Sequence, residues 1–267
     1  MSGTHLKIMS YFFESGTNRA GTDLKGSLFR ADLQTPISVP KSARDVFVKV
    51  HSAEIWNTFP NIESEVNDTF TFIPPNFVPI VIKVPTGAYN VDGLNLVLQN
   101  GFSALQYPPD YVRLEEFVEQ NKVIMVMKVS DVTFSAVASS IRTVIGFTTD
   151  RTSVSGEDSR FVGDTIAAFN VVNKLFLQTN LVSNGIPFNG FASQAIAKIP
   201  ITKAPGSQFN FEPFNAIEVG APELRGSNIT HITFWLTDEN NNPVDTNGES
   251  WGFALQIGYT DIPQYNL

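Results

Sequence analysis

The chain contains no cysteine. Disulfides, thiolate metal sites and cysteine nucleophiles are therefore excluded, and a β-rich chain without disulfides favours folding in a reducing cytoplasm. Charge is scarce as well. Asp, Glu, Lys and Arg make up 16% of the 267 residues, and the formal balance is −8. So acidic a chain lacks the basic patches that displace counterions from DNA or RNA, so direct nucleic-acid binding is not expected. Long apolar runs are missing. The longest, such as Val123–Met127, are far too short to span a bilayer. Met1–Ser15 has no sustained apolar core, so no secretory leader is expected. Without one, the sequons Asn67-Asp68-Thr69 and Asn228-Ile229-Thr230 carry no meaning as glycosylation sites.

Residues suited to chemistry are few and scattered. There are three histidines: His5, His51 and His231. None stands at a spacing that would seat a metal, and His51 and His231 are read as partly buried structural residues within strands. Gly16–Thr22 looks superficially like a phosphate loop, but it lacks the lysine and the strand–helix context. Glu115, Glu116 and Glu119 form an acidic cluster, read as a solvated face rather than a glycosidase pair. Asp238, Asn240, Asn242 and Glu249 hold the first, third, fifth and twelfth places of a calcium loop, yet Pro243 stands where that loop needs glycine. Asn, Asp and Pro are also what a polar turn uses. No catalytic, cofactor-binding or metal residue is therefore expected.

What the chain does have is aromatic and turn-forming: 22 Phe, 18 Gly and 16 Pro. Apolar strands between Gly/Pro/Asn punctuation favour a sandwich over a helix bundle. The most informative stretch is Ile229–Ile262. Trp251, Phe253, Leu255, Ile257 and Tyr259 alternate with small or polar residues, and Ile232, Phe234 and Leu236 alternate before a polar tip. This reads as a β-hairpin that needs a second sheet to cover it.

Other strands are expected at Ser27–Val39, Arg44–Asn57, Asp68–Ile73, Val78–Val84, Lys122–Val129, Asn173–Val182 and Gln194–Ile201. Pro205–Val219, with Phe209, Phe211 and Phe214, reads as an extended crossing. Residues 103–121 and Thr148–Asp164 read as loops. Two short helices are expected, Val91–Gln99 capped by Asn90 and ended by Asn100-Gly101, and Ala136–Ile145 stopped by Gly146. Residues 1–26 read as an N-terminal arm carrying Leu6, Ile8, Tyr11, Phe12 and Phe13, either free or ordered against a neighbouring subunit. Residues 27–267 read as one all-β jelly-roll domain, with no internal repeat and no composition break.

The order of these elements resembles the single jelly-roll penton, or minor capsid, proteins of tectivirus–adenovirus-lineage icosahedral DNA viruses. It looks nearest to virophage, polinton-like and large algal virus members. The resemblance rests on Pro85-Thr86-Gly87-Ala88-Tyr89 before a short helix, on Ile141–Phe147 ending in Gly-Phe, and on the run from Leu175–Val182 through Ala195–Ile201 to the C-terminal arms. It covers roughly Arg44 to Ile262. It implies a virion structural protein: a homopentamer at capsid vertices, beside a major capsid protein and near an internal viral membrane or spike. It implies no enzyme activity and no cofactor. A spike or receptor-binding jelly-roll module and a cellular lectin-type sandwich remain alternatives, because fold does not dictate function.

Overall fold

The computed structural model describes residues 5–16, 25–75, 78–154, 158–187 and 192–261. The strands are β1 (His5–Glu14), β2 (Leu28–Ser38), β3 (Arg44–Trp56), β4 (Thr69–Ile73), β5 (Ile80–Lys83), β6 (Val112–Phe117), β7 (Lys122–Met127), β8 (Thr133–Ser135), β9 (Arg151–Thr152), β10 (Ser159–Val162), β11 (Lys174–Thr179), β12 (Ala195–Pro200), β13 (Gln208–Phe211), β14 (Val219–Gly220), β15 (Asn228–Thr237) and β16 (Gly252–Asp261). The helices are α1 (Val91–Ala104) and α2 (Arg142–Ile145). The all-β class and the two helical inserts expected from the sequence are present. Contacts divide the chain into two compact units. The first comprises Met1–Asn57, Val172–Lys203 and Ser207–Leu267; the second comprises Thr58–Val171 with Ala204–Gly206.

The first unit is a sandwich of two antiparallel sheets. One runs β1-β16-β3, with β13 and β14 both on the far edge of β3; the other runs β12-β11-β15-β2. Aromatic rings fill the space between them. Phe234 meets Phe253 edge-on at 4.7 Å, Phe13 meets Phe234 at 4.9 Å, and Phe29 meets Trp251 at 5.0 Å. Each such pair adds about 0.5–1.5 kcal/mol beyond the area it buries. The buried Trp251 ring keeps its polar atom satisfied: Nε1 donates to the Gly26 carbonyl at 2.9 Å.

The C-terminal arms correct the hairpin expectation. β15 pairs with β11 and β2, whereas β16 pairs with β1 and β3, so the two arms lie in opposite sheets. They form an arch. Alternation reports which face of a strand is buried, not which strand lies beside it. Stacking the Ile232/Phe234/Leu236 face over the Trp251–Tyr259 face buries both at once. The connecting tip makes its own turn, with a Thr237–Pro243 bridge, an Asp238 N–H to Asn242 carbonyl bond at 2.9 Å and Val244 folded inside.

The segment read as an arm also differs. His5–Glu14 is a strand, in register with β16 from His5↔Asp261 to Glu14↔Gly252. Phe13 is buried in the sandwich and Tyr11 stacks beside it, so the apolar cluster finds part of its cover within its own chain. The glycine-rich Gly16–Thr22 stretch falls, from residue 17 on, outside the described residues.

The second unit has its own core. Its sheets are β5-β4-β8-β9 and β10-β7-β6. Phe70, Phe72, Phe102, Phe134 and Phe147 pack there with Leu94, Leu98 and Met125. Asn61, buried, ties three segments together: Nδ2 donates to the Tyr89 and Phe169 carbonyls at 2.7 and 2.9 Å, and Oδ1 accepts from the Tyr89 N–H at 3.0 Å.

Helix α1 starts as expected, with the Asn90 side chain accepting from the Gly93 N–H at 2.8 Å. It runs past the expected stop at Asn100-Gly101 to Ala104, because Phe102 belongs to the core and Gly101 is needed for packing. A Cβ on Gly101 would sit 2.6 Å from the Ile82 side chain. α2 is shorter than expected. Residues Ser139 to Ile141 pair with Thr69 instead of continuing a helix, and Gly146, at φ 78°, ends α2 in the left-handed region. Strand β6 lies in the expected 103–121 loop, and β9 and β10 lie in the expected Thr148–Asp164 loop. β10 is pinned by register with β7, Ser159↔Met127 to Val162↔Ile124.

Candidate assembly surface

The residues singled out for chemistry do not converge. His5 sits on edge strand β1 opposite Asp261. His51 is the extra residue of a bulge in β3, between the pairs Val50↔Leu255 and Ser52↔Ala254. His231 stands in the other sheet opposite Asp32. All three are exposed, which corrects the expectation that two of them are partly buried. Glu115 is held by Arg113 at 3.1 Å and by Arg160, while Glu116 and Glu119 face solvent. Asp238 spends its carboxylate on the turn: Oδ1 accepts from the N–H groups of Asn240 and Asn242, both at 2.8 Å, and Oδ2 from Asn242 Nδ2 at 3.1 Å. Among the described residues, no group of three or more His, Asp or Glu is placed to hold a metal ion.

Carboxylates with shifted pKa values act as fasteners. Lys83 donates to both oxygens of buried Asp68 at 3.0 and 2.9 Å and holds its pKa below the usual range. Asp164 is lowered chiefly by the Thr148 N–H at 2.8 Å, with the Thr148 hydroxyl and Arg151 adding to it. Burial pushes Glu223 up, but its own N–H and the N–H and hydroxyl of Ser183 outweigh that and leave it lowered. A polar hollow of about 720 Å³ between α1 and β6 is bordered by Asp92, Asn95, Gln99, Arg113 and Glu116. Asn95 is committed within it, exchanging two 2.8 Å bonds with the Leu114 backbone.

The distinctive surface lies on the first unit, in two places. One is the outer face of β1, where Leu6, Ile8 and Phe12 are 57%, 47% and 62% exposed at alternate positions. Register continues this face across the sheet as rows: Leu6–Thr260–Arg44, Ile8–Gly258–Phe47, Ser10–Gln256–Lys49, Phe12–Ala254–Ser52 and Glu14–Gly252–Glu54. Glycines keep it flat. The Phe47 ring lies over Gly258, where a Cβ would come within 2.2 Å of it, and the Phe12 ring lies 3.1 Å from a Cβ position on Gly252.

The other place is the loop between β13 and β14. Phe209 is buried and Phe211 half-buried, but Phe214 is 100% exposed and Ile217 is 56% exposed. Sequence reasoning grouped Phe214 with its two neighbours. Pro213 and Asn215 beside it are the one local signal that it belongs to a loop tip.

By sequence, no family model and no curated protein matches the chain. By structure, it is similar to the mavirus penton protein solved by crystallography, with a TM-score of 0.50 at 10% identity, over 96% of this chain and 100% of that one. A chain of the Sputnik virophage solved by cryo-EM matches at a TM-score of 0.43 and 14% identity, over 93% and 97% of the two chains. The chain thus shares, over nearly its whole length, the jelly-roll fold of a viral penton protein.

Proposed function

We propose that this chain is a structural capsid protein that closes the five-fold vertices of an icosahedral DNA virus as a homopentamer. The observation that carries the reading is the fold match to the mavirus penton protein over 96% of this chain and the whole of that one. The surface supports it. A five-membered ring is built from heterologous contacts, in which each subunit offers two different patches, and the first unit exposes two different apolar patches. In this role the chain is not an enzyme and uses no cofactor. It resides in the virion, with a major capsid protein around it and an internal membrane or spike as further neighbours. Native mass spectrometry of the purified chain tests the proposal. Five copies of the 29.4 kDa chain are expected. A trimer would point to a spike and a monomer to a lectin-type module, and either would overturn the vertex reading.

A further inference from the structure

We infer that the ring contact is a knob on a strip: the Phe214 loop of one copy packs against the Leu6–Ile8 end of β1 on the next copy. This rests on the homopentamer reading and names the surfaces that would build it. Both features belong to the same unit and lie on opposite edges of one sheet. β1 forms one edge, and β13 and β14, which flank the loop, share the other. Three strand spacings, about 14 Å, separate these edges, so one sheet presents two unlike patches at its opposite edges. A copy using both meets one neighbour on each side, which is the condition for a closed ring.

Each patch suits the other. Phe214 has no cover among the described residues, and exposed aromatics that fill a partner's surface dominate interface energetics. The strip provides aliphatic side chains, Leu6 and Ile8, beside the flat Gly258–Phe47 row. Charge selects which end of the strip is used. Acidic Glu212 and Glu218 flank the knob, and Glu218 already bridges Lys49 at 3.1 Å within its own chain. Arg44 stands in the Leu6 row and has no ion-pair partner among the described residues, and its charge offsets that of its neighbour Asp45, which accepts from the Thr260 hydroxyl at 2.8 Å. Lys49, two rows along, already spends its charge on Glu218 of its own chain. At the far end, Glu14 and Glu54 flank Gly252. An acidic loop is repelled from the Glu14–Glu54 end and accommodated at the charge-balanced Leu6–Arg44 end.

The absence of native cysteine makes disulfide trapping clean. The full chain carrying Phe214→Cys and Ile8→Cys is oxidised mildly and run without reductant. The expected result is a ladder of covalent species ending at five copies, because each copy has one thiol on each side. Each single variant forms no ladder. Phe214→Cys with Phe12→Cys, nearer the acidic end, cross-links more slowly. A product ending at two copies would mean a two-fold contact and overturn the inference. No cross-link in a chain that native mass shows to be pentameric would overturn the knob-and-strip contact and leave the vertex reading standing. No pentamer in the unmodified chain would overturn both. Phe214→Ser provides a second readout without thiols: it should keep the β-sheet circular dichroism of the parent chain and lose the pentamer, and retention of the pentamer would contradict the inference.

Discussion

The two units solve the same packing problem but differ in what they leave outside. Each buries a cluster of phenylalanines between antiparallel sheets. In the second unit, every large exposed hydrophobic among the described residues is aliphatic, mostly valine, and they are scattered from Val66 to Val171. Single exposed aliphatics are ordinary on protein surfaces. The first unit exposes Phe12, Phe214 and Trp56 with Leu6, Ile8 and Ile217, gathered on one sheet's outer face and its edge loop. Aromatic enrichment is what distinguishes interfaces from the remaining surface. The comparison teaches that the exposed aromatic residues, and with them the proposed assembly surface, belong to the first unit among the described residues.

The largest expected effects lie inside the cores. Phe253→Ala in the first unit and Phe102→Ala in the second should each cost about 3–5 kcal/mol in denaturant unfolding, since both rings are fully buried. A loss below about 1 kcal/mol at either site would break the claim that each unit has its own aromatic core. Gly146→Ala comes next. Its φ of 78° and a Cβ only 2.5 Å from the Thr165 carbonyl oxygen leave no relaxed placement, so about 1–3 kcal/mol should be lost. Unchanged stability would show that the α2 end is not held as described.

Acid sensitivity should weigh more on the second unit, since the first has Glu223 as its one lowered carboxylate among the described residues. Asp68, Asp110 and Asp164, all in the second unit, have folded pKa values below the ordinary carboxylate range. The unfolded chain therefore binds more protons than the folded one in the acid range. Their stabilisation is complete above the ordinary carboxylate pKa and is lost as pH falls through the lowered folded values. Thermal melts from neutral to acid pH should show this loss, and Asp68→Asn should flatten it. An equally steep profile in that variant would contradict the role of the Lys83–Asp68 pair. The smallest effect on the stability of the single chain is expected at the surface: Leu6→Ser and Val118→Ser, both at exposed positions, should each stay within about 0.5 kcal/mol of the parent chain. Only Leu6→Ser should weaken self-association in sedimentation. Equal association of the two variants would remove the distinction between the units. Deleting residues 1–26 is a poorer test, because it removes β1 and takes Phe13 out of the core.

Faces and caps were legible in the sequence, and partners were not. The alternation of Trp251 to Tyr259 correctly marked a buried face, and Asn90 and Gly146 correctly marked a helix start and a helix end. Period-two patterns do not encode which strand lies alongside, so the arch of β15 and β16 looked like a hairpin. Gly101 looked like a helix stop because its packing reason, Ile82, is distant in sequence. β9 and β10 are short and polar and owe their form to neighbours, with register supplied by β8 and β7. The proposed assembly surface was half visible. The apolar residues of β1 stood out as needing a cover, whereas Phe214 could be told from the core phenylalanines only once Phe209 was seen to be inside and Phe214 outside.

The central claim is tested most directly by imaging the purified particle and tracing this chain in the density. The account predicts five copies around each five-fold vertex, with the β1 face of one copy against the Phe214 loop of the next. Density for the chain at any other capsid position, or its absence from the particle, would contradict it.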